Sequence, residues 1–218
     1  MTTGLTGMAL RDPFLIDFLE RARDRLDPPG TPPPVPTHAD HDLNKHLPRP
    51  RPQALTAAAV LFGVVLRPEG ASVILTRRPA SMTRHAGQVA FPGGKLDPGD
   101  ADVVAAALRE AEEEVGLDPR MADVIGQGSA YETVTGFAVT PVVALLASSY
   151  IPRPDPHEVD AVFETPLSFL MDPANHERHE RDWQGVKRAY YAMPWNGHYI
   201  WGATAGMIRA LHARLYSD

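Results

Sequence analysis

A chain of 218 residues, 44% of them hydrophobic, can bury one substantial core and runs a little longer than a compact domain needs, so one domain plus an appendage is expected. With no cysteine, disulfides and thiolate metal sites are excluded, which leaves carboxylates, imidazoles, carbonyls and water to hold a hard cation. A formal net charge of -6 without any Lys/Arg block excludes the broad positive field of a nucleic-acid binder, and no apolar run approaches the length that spans a bilayer.

Arg11, Asp12, Asp17 and Glu20 interrupt the first apolar residues before a signal-peptide core can form, so a cytoplasmic protein is expected. Asp12 reads as an N-cap and Pro13 as the first helical residue of a segment in which Leu15, Phe18, Leu19, Ala22 and Leu26 recur at helical spacing. Six prolines from Pro28 to Pro36 then impose an extended linker, and the main domain is placed at residues 55–218 after an N-terminal helix and linker over 1–54. Nothing in residues 1–54 carries recognisable chemistry; covering the sheet, forming a homodimer and ordering on assembly are all open to them. His38, His41 and His46 follow the linker but are interleaved with charged residues and read as solvated.

Runs rich in Val, Ile, Leu and Ala from Leu55 to Leu66 and from Ala71 to Thr76, separated by Pro-Glu-Gly, predict a buried hairpin. Further strands are expected at Gly87–Phe91, Ala122–Ile125, Phe137–Leu146, Val159–Phe163, Arg188–Met193 and Tyr199–Trp201, with a closing helix from Ala203 to Tyr216. His176–Glu180 reads as an exposed loop or helix end. Strands bracketing one central and one terminal helix predict a mixed α/β architecture of the α+β kind, a mixed sheet sandwiched between helices.

The central helix should run from about Asp102 and stop at Gly116, a natural left-handed terminator. At about 100° per residue, Val104, Leu108, Ala111 and Val115 form its core stripe. Glu110, Glu113 and Glu114 share another face that looks to the surface, and Glu112 points away from them. Such a cluster costs a few tenths of a kcal/mol per like-charge pair and sits at the helix end whose dipole disfavours anions. A solvated acidic face is the ordinary fate of such a cluster. Here Phe91-Pro92-Gly93-Gly94 precedes it, a glycine pair that lets backbone approach a ligand closely and bares a carbonyl, and Arg109 can orient a carboxylate with its planar fork.

These residues resemble the Nudix box, G-x5-E-x7-R-E-U-x-E-E-x-G-U with U apolar, through Gly94, Arg109, Glu110, Ala111, Glu113, Glu114, Gly116 and Leu117. Gly94 and Arg109 stand one residue further apart than the pattern allows, so its first Glu falls on Asp100 or, counted back from Arg109, on Ala101. The resemblance implies a Nudix fold and hydrolysis of a diphosphate with Mg2+ or Mn2+. It makes Glu110 and Glu114 the principal ligands, Glu113 a further ligand or base, and the Gly93 carbonyl a supplementary ligand. A further acid from outside the box is implied too, for which Glu132 and Glu158 are candidates and Glu158 is preferred.

Upstream, Leu75-Thr76, Arg78, Gly87 and Phe91-Pro92-Gly93-Gly94 resemble the signature of coenzyme A pyrophosphatases; Pro79 replaces a Ser or Ala, and Thr83 replaces an Arg, with Arg84 one place along. The C-terminal stretch from Tyr190 to Ala205 is similar to the end of bacterial members of that family. What this implies is cleavage of CoA to 3′,5′-ADP and 4′-phosphopantetheine. Such a multiply anionic substrate needs clustered donors on an acidic protein, and Arg77, Arg78, Arg84, His85 and Lys95 supply them. Another nucleotide substrate, such as ADP-ribose or a dinucleotide, and a sensing domain without catalysis are the alternatives.

Overall fold

The computed structural model describes residues 12–32, 35–47, 54–81, 86–183 and 185–217. Helix α1 (Pro13–Arg25) begins as its sequence dictates: the Asp12 carboxylate accepts from the Phe14 amide at 3.0 Å and Pro13 occupies the first turn. After the linker and the two-residue strand β1 (His38–Ala39) come β2 (Thr56–Arg67), β3 (Gly70–Arg77), β4 (Val89–Ala90) and β5 (Gly93–Lys95). Helix α2 (Val103–Val115) follows, then β6 (Ala122–Gln127), β7 (Tyr131–Glu132), β8 (Phe137–Leu146) and β9 (Ala161–Pro166). The chain ends with the short helix α3 (Leu167–Leu170), strands β10 (Glu177–Trp183), β11 (Val186–Trp195) and β12 (His198–Trp201), and helix α4 (Ala203–Tyr216).

Nine strands form one mixed sheet whose main path is β1-β7-β8-β2-β3-β4; β5 also pairs with β2, β6 with β8 and β9 with β3. The centre is the parallel pair β2 and β8, joined from Thr56 opposite Phe137 to Val65 opposite Leu146. On its other edge β2 changes partner. Val64–Arg67 pair with β3, while Ala58–Val60 pair with β5, and at the changeover the Leu61 amide donates to the Pro92 carbonyl at 2.8 Å. A second, antiparallel sheet is made of β10, β11 and β12.

Residues alternate between the two faces of the large sheet, so there are two cores. On one face Ala59, Leu61, Val65, Ile74, Val142, Ala144 and Leu146 pack under α2; on the other, Phe62, Val64, Val73, Leu75 and Val143 pack under α1 and α4. The expected sheet between helices is therefore present. Among the described residues no helix is long and apolar enough to cross a membrane.

Two expectations are corrected. Glu177–Trp183 is a strand, not a loop or helix end, because backbone pairing with β11 holds a segment whose side chains are mostly charged and show no apolar alternation. The core face of α2 is Val103, Ala106, Ala107, Ala111, Glu114 and Val115, whereas Val104 and Leu108 are only part-buried. That is a rotation of roughly 80° from the stripe of larger residues. Three alanines let the helix lie close to β2, so proximity rather than side-chain size decides which face is covered.

Leu15, Phe18, Leu19, Ala22 and Leu26 all belong to the core beneath α4, with the Phe18 ring 6.3 Å from that of Phe62. Phe18→Ala is therefore expected to cost about 3–5 kcal/mol in chemical denaturation, as for a central core phenylalanine. A loss below about 1 kcal/mol would mean that α1 is merely docked on the surface.

Candidate active site

The site is built where β2 changes partner. Entering that gap, Gly93 adopts φ +154, and a Cβ there would collide with the Ala59 carbonyl and stand 2.6 Å from the Val60 Cα. A Cβ on Gly94 would collide with the Glu110 carboxylate. The glycine pair is thus wedged between β2 and α2, and each glycine is required by a different neighbour.

On the helix side, Asp102 caps α2 by accepting from the Ala105 amide at 2.8 Å, and Gly116 ends it in the left-handed conformation at φ 65. Glu114 does not face the surface as expected; it is 4% exposed and accepts from the Gly93 amide at 3.2 Å. Arg78 Nη1 lies 3.9 Å from its other oxygen. Burial pushes the Glu114 carboxyl up to about 7; the Gly93 amide and Arg78 oppose this, and Glu110 and Glu158 add repulsion. Glu110 is also raised by burial, against the pull of Arg109, with Glu113 and Glu158 repelling it. A buried, mutually repelling carboxylate set is an electrostatic demand for positive charge.

Arg109 organises the outer half of the cluster. Its guanidinium donates to Asp100 at 3.0 and 3.1 Å, to Glu110 and Glu113 at 3.1 Å each, and to the Lys95 carbonyl at 3.2 Å. The bonds from Arg109 lower the Asp100 carboxyl below its ordinary value. Of the two positions open to the box's first acid, Asp100 is the one that meets Arg109; it also accepts from the Asp97 amide at 2.8 Å, closing the 97–100 turn onto the helix.

Glu158 reaches the cluster through the loop after β8. The Arg153 amide donates to the Val115 carbonyl at 2.9 Å, the Asp155 amide to the Glu114 carbonyl at 3.0 Å, and the Glu158 amide to the Asp155 carbonyl at 3.1 Å. The loop therefore satisfies carbonyls left open at the end of α2 while holding the exposed Glu158 carboxylate near enough to add repulsion at Glu110 and Glu114. Deeper anchors were not read from sequence: Tyr150, 2% exposed, donates from its hydroxyl to the Val115 carbonyl at 2.9 Å, and Arg67 donates to the Ser148 and Tyr150 carbonyls at 2.8 and 3.0 Å. The only sequence signal for Tyr150 is an aromatic amid polar loop residues.

The cationic residues are spread more widely. Arg78 stands at the acidic cluster, whereas Arg77 is turned to Asp160 in an ion pair of 2.6 Å, and the Lys95 ammonium lies 5.7 Å from the centre of the Phe137 ring. Arg84 and His85 lie outside the described residues. Among the described residues no three His, Asp or Glu side chains form a finished cation cage: Glu113 and Glu110 are drawn toward Arg109, and Glu114 toward Gly93.

The NUDIX domain profile matches residues 57–200. The chain is 45% identical to a protein described as an uncharacterized Nudix hydrolase, NudL, of Cronobacter sakazakii, over 71% of this chain and 80% of that protein. Its namesake in Escherichia coli O1:K1 is 42% identical over the same shares. Among solved structures, the Nudix hydrolase RenU of M. smegmatis aligns at 25% identity and a TM-score of 0.45, over 52% of this chain and 71% of that one. The chain belongs to the Nudix family of hydrolases, which act on diphosphate-containing compounds.

The two glycines should separate stability from activity. At Gly94→Ala the three nearest atoms are all of the Glu110 carboxylate, the far end of a flexible side chain, so it should leave stability within about 1 kcal/mol while lowering hydrolysis at least about tenfold by displacing that carboxylate. Gly93→Ala meets backbone and a strained φ, and should cost about 2 kcal/mol or more. Denaturation curves and steady-state rates on both variants check this; a fully active Gly94→Ala enzyme contradicts the assigned geometry.

Proposed function

We propose that this Nudix hydrolase cleaves the diphosphate bridge of coenzyme A or a close derivative, releasing 3′,5′-ADP and 4′-phosphopantetheine or its acyl form, with Mg2+ or Mn2+ held at Glu110 and Glu114. The supporting observation is the buried Glu114 carboxylate, which accepts from the Gly93 amide and is repelled by Glu110 and Glu158, with Arg78 the one guanidinium among the described residues within ion-pair distance of it.

The donor set suits a hard divalent cation: carboxylates, with the bared carbonyl of the glycine turn as a supplement. Mg2+ is commonly held by one or two carboxylates and completed by water and substrate phosphates, so an open acidic corner suits it better than a closed cage. When bound, such a cation neutralises phosphate oxygens and makes water easier to deprotonate. The chain's own residues do the rest. Glu110 and Glu114 bind and orient; Arg109 keeps Glu110 from swinging out and holds Glu113 in reserve as a further ligand or base. The exposed Glu158 carboxylate accepts the proton of the attacking water as its oxygen bonds to phosphorus and the bridging oxygen departs with its phosphate.

For the substrate, Arg78 beside Glu114 and Lys95 beyond the glycine turn flank the site, and Arg84 and His85 belong to the stretch between β3 and β4. Arg77, paired with Asp160, stands at the outer end of the same edge. A substrate with a diphosphate and a 3′-phosphate uses more of these donors than ADP-ribose can. Each charge-assisted hydrogen bond contributes about 1.5–3 kcal/mol, so loss of the 3′-phosphate should lower kcat/KM about tenfold or more.

The test compares CoA, 3′-dephospho-CoA and ADP-ribose with Mg2+ and with Mn2+, identifying the products. Faster turnover of dephospho-CoA, with ADP-ribose better still, would overturn the CoA reading and leave diphosphate hydrolysis intact. Glu114→Gln keeps the shape and an acceptor for Gly93 while removing the charge, so it should fold normally. It should lose more than the roughly 100-fold typical of an outer-shell metal partner. Substantial turnover by Glu114→Gln at saturating Mg2+ refutes its role as a ligand.

A further inference from the structure

Strands β10 and β11 form a ribbon whose far end is exposed to solvent. Strand β12 supports β11 only over Ala192–Trp195, and from Arg181 through Arg188 the described residues are exposed on both faces of the ribbon. Trp183 is 50% exposed at its tip and Val186 opposite it 38%. A two-stranded ribbon with both faces wet is marginal by itself. Its outer strand, β10, has β11 as its one strand partner among the described residues, so one row of backbone donors and acceptors is left open.

Charged side chains usually protect such an edge from pairing. The order of the charges here does the opposite. Two copies of one strand joined antiparallel in a continuous sheet are related by a two-fold axis perpendicular to it, which keeps each face on its own side. Residues opposite one another must then share a face, so the axis passes through a residue, not between two. Centred on His179, the sequence Glu177-Arg178-His179-Glu180-Arg181 is complementary to its own reverse: Glu177 meets Arg181 of the second copy, Arg178 meets its Glu180, and one turn outward His176 meets its Asp182. Centred on Glu180, acid meets acid and His179 meets Arg181; centred on Arg181, Glu180 meets Asp182. Only one register is free of acid–acid and Arg–Arg opposition while pairing every flanking charge.

We propose that β10 is a homodimerisation edge, through which two copies of this chain join antiparallel about a two-fold axis at His179 to make one six-stranded sheet. Arg178 and Glu180 are free to cross the seam: they are 59% and 55% exposed, and their mutual contact within the chain is a loose 3.6 Å; Glu177, which also holds His179 at 2.6 Å, keeps a half-exposed side chain that can turn to Arg181 of the second copy. The same register carries the exposed Trp183 to the level of Asn175 in the second copy, at the turn before its β10. Opposite charges facing across strands stabilise and like charges destabilise by comparable amounts, so four Glu–Arg pairs favour this register.

Sedimentation of the intact chain across a concentration series should give twice 23.8 kDa. Arg178→Glu places like charges opposite each other twice by symmetry and should raise the dissociation constant at least tenfold; Arg178→Glu with Glu180→Arg should restore it. Because the chain has no cysteine, His179→Cys offers an independent measurement. Residues opposite each other on an antiparallel pair sit about 4.5–5.5 Å apart at Cα, within disulfide range, so this variant should link into covalent dimers under mild oxidation and Glu180→Cys should not. Circular dichroism confirms that each variant is folded. A single-chain mass up to the highest attainable concentration overturns the proposal, and so does linkage through Glu180→Cys as fast as through His179→Cys.

Discussion

The structure depends on one close approach: a backbone segment without side chains lying in the gap where β2 exchanges β5 for β3. Only because Gly93 and Gly94 have no Cβ can this segment touch β2 on one side and α2 on the other. The contact places a backbone amide 3.2 Å from Glu114, so a carboxylate that helix periodicity alone would leave at the surface is drawn inward and kept there. One hydrogen bond of this kind to a charged group contributes about 1.5–3 kcal/mol. That is too little to offset burying a full carboxylate, which is why its proton affinity rises to about 7 and why positive charge in the corner stabilises the site.

Arg109 and Arg78 divide that electrostatic work unequally. Arg109 is saturated by Asp100, Glu110, Glu113 and the Lys95 carbonyl, so it is a fixed strut that ties the 95–100 turn to the helix. Arg78 approaches Glu114 only to 3.9 Å, a distance at which direction is weakly set. A site with one rigid cation outside and one loosely held cation inside can exchange the inner contact for a bound ion without dismantling its scaffold.

The helices and their ends were legible from sequence because short-range chemistry dictates them: Asp12 as a cap, Asp102 as the start of α2, Gly116 as its terminator, and α4 from Ala203 to Tyr216 as expected. The β2–β3 hairpin and β8 were equally plain, since buried strands are continuous apolar runs. What failed was whatever depends on distant partners. Strand β10 exists only through its pairing with β11, and β5 only through β2. The burial of Glu114 follows from the Gly93 amide, 21 positions away in sequence, which no helical wheel contains. Alanines on α2 misled for a related reason: small side chains carry little hydrophobic signal yet permit the closest packing.

The loop that carries Glu158 shows how a mobile kind of element is made precise. Loops are the usual carriers of catalytic side chains, and their weakness is imprecision. Here the polypeptide between β8 and β9 is held at three levels. Arg67, anchored on β9 by Glu164 at 2.6 Å, fixes the Ser148 and Tyr150 carbonyls; the Tyr150 hydroxyl then caps the Val115 carbonyl; and the Arg153 and Asp155 amides take the carbonyls of Val115 and Glu114 themselves. The same helix end thus supplies both the buried acid and the acceptors that register the loop. A shift of α2 carries Glu114 and the loop bearing Glu158 together, so the spacing between the inner acid and the outer one is preserved through motions that would disorder a site assembled from independent elements.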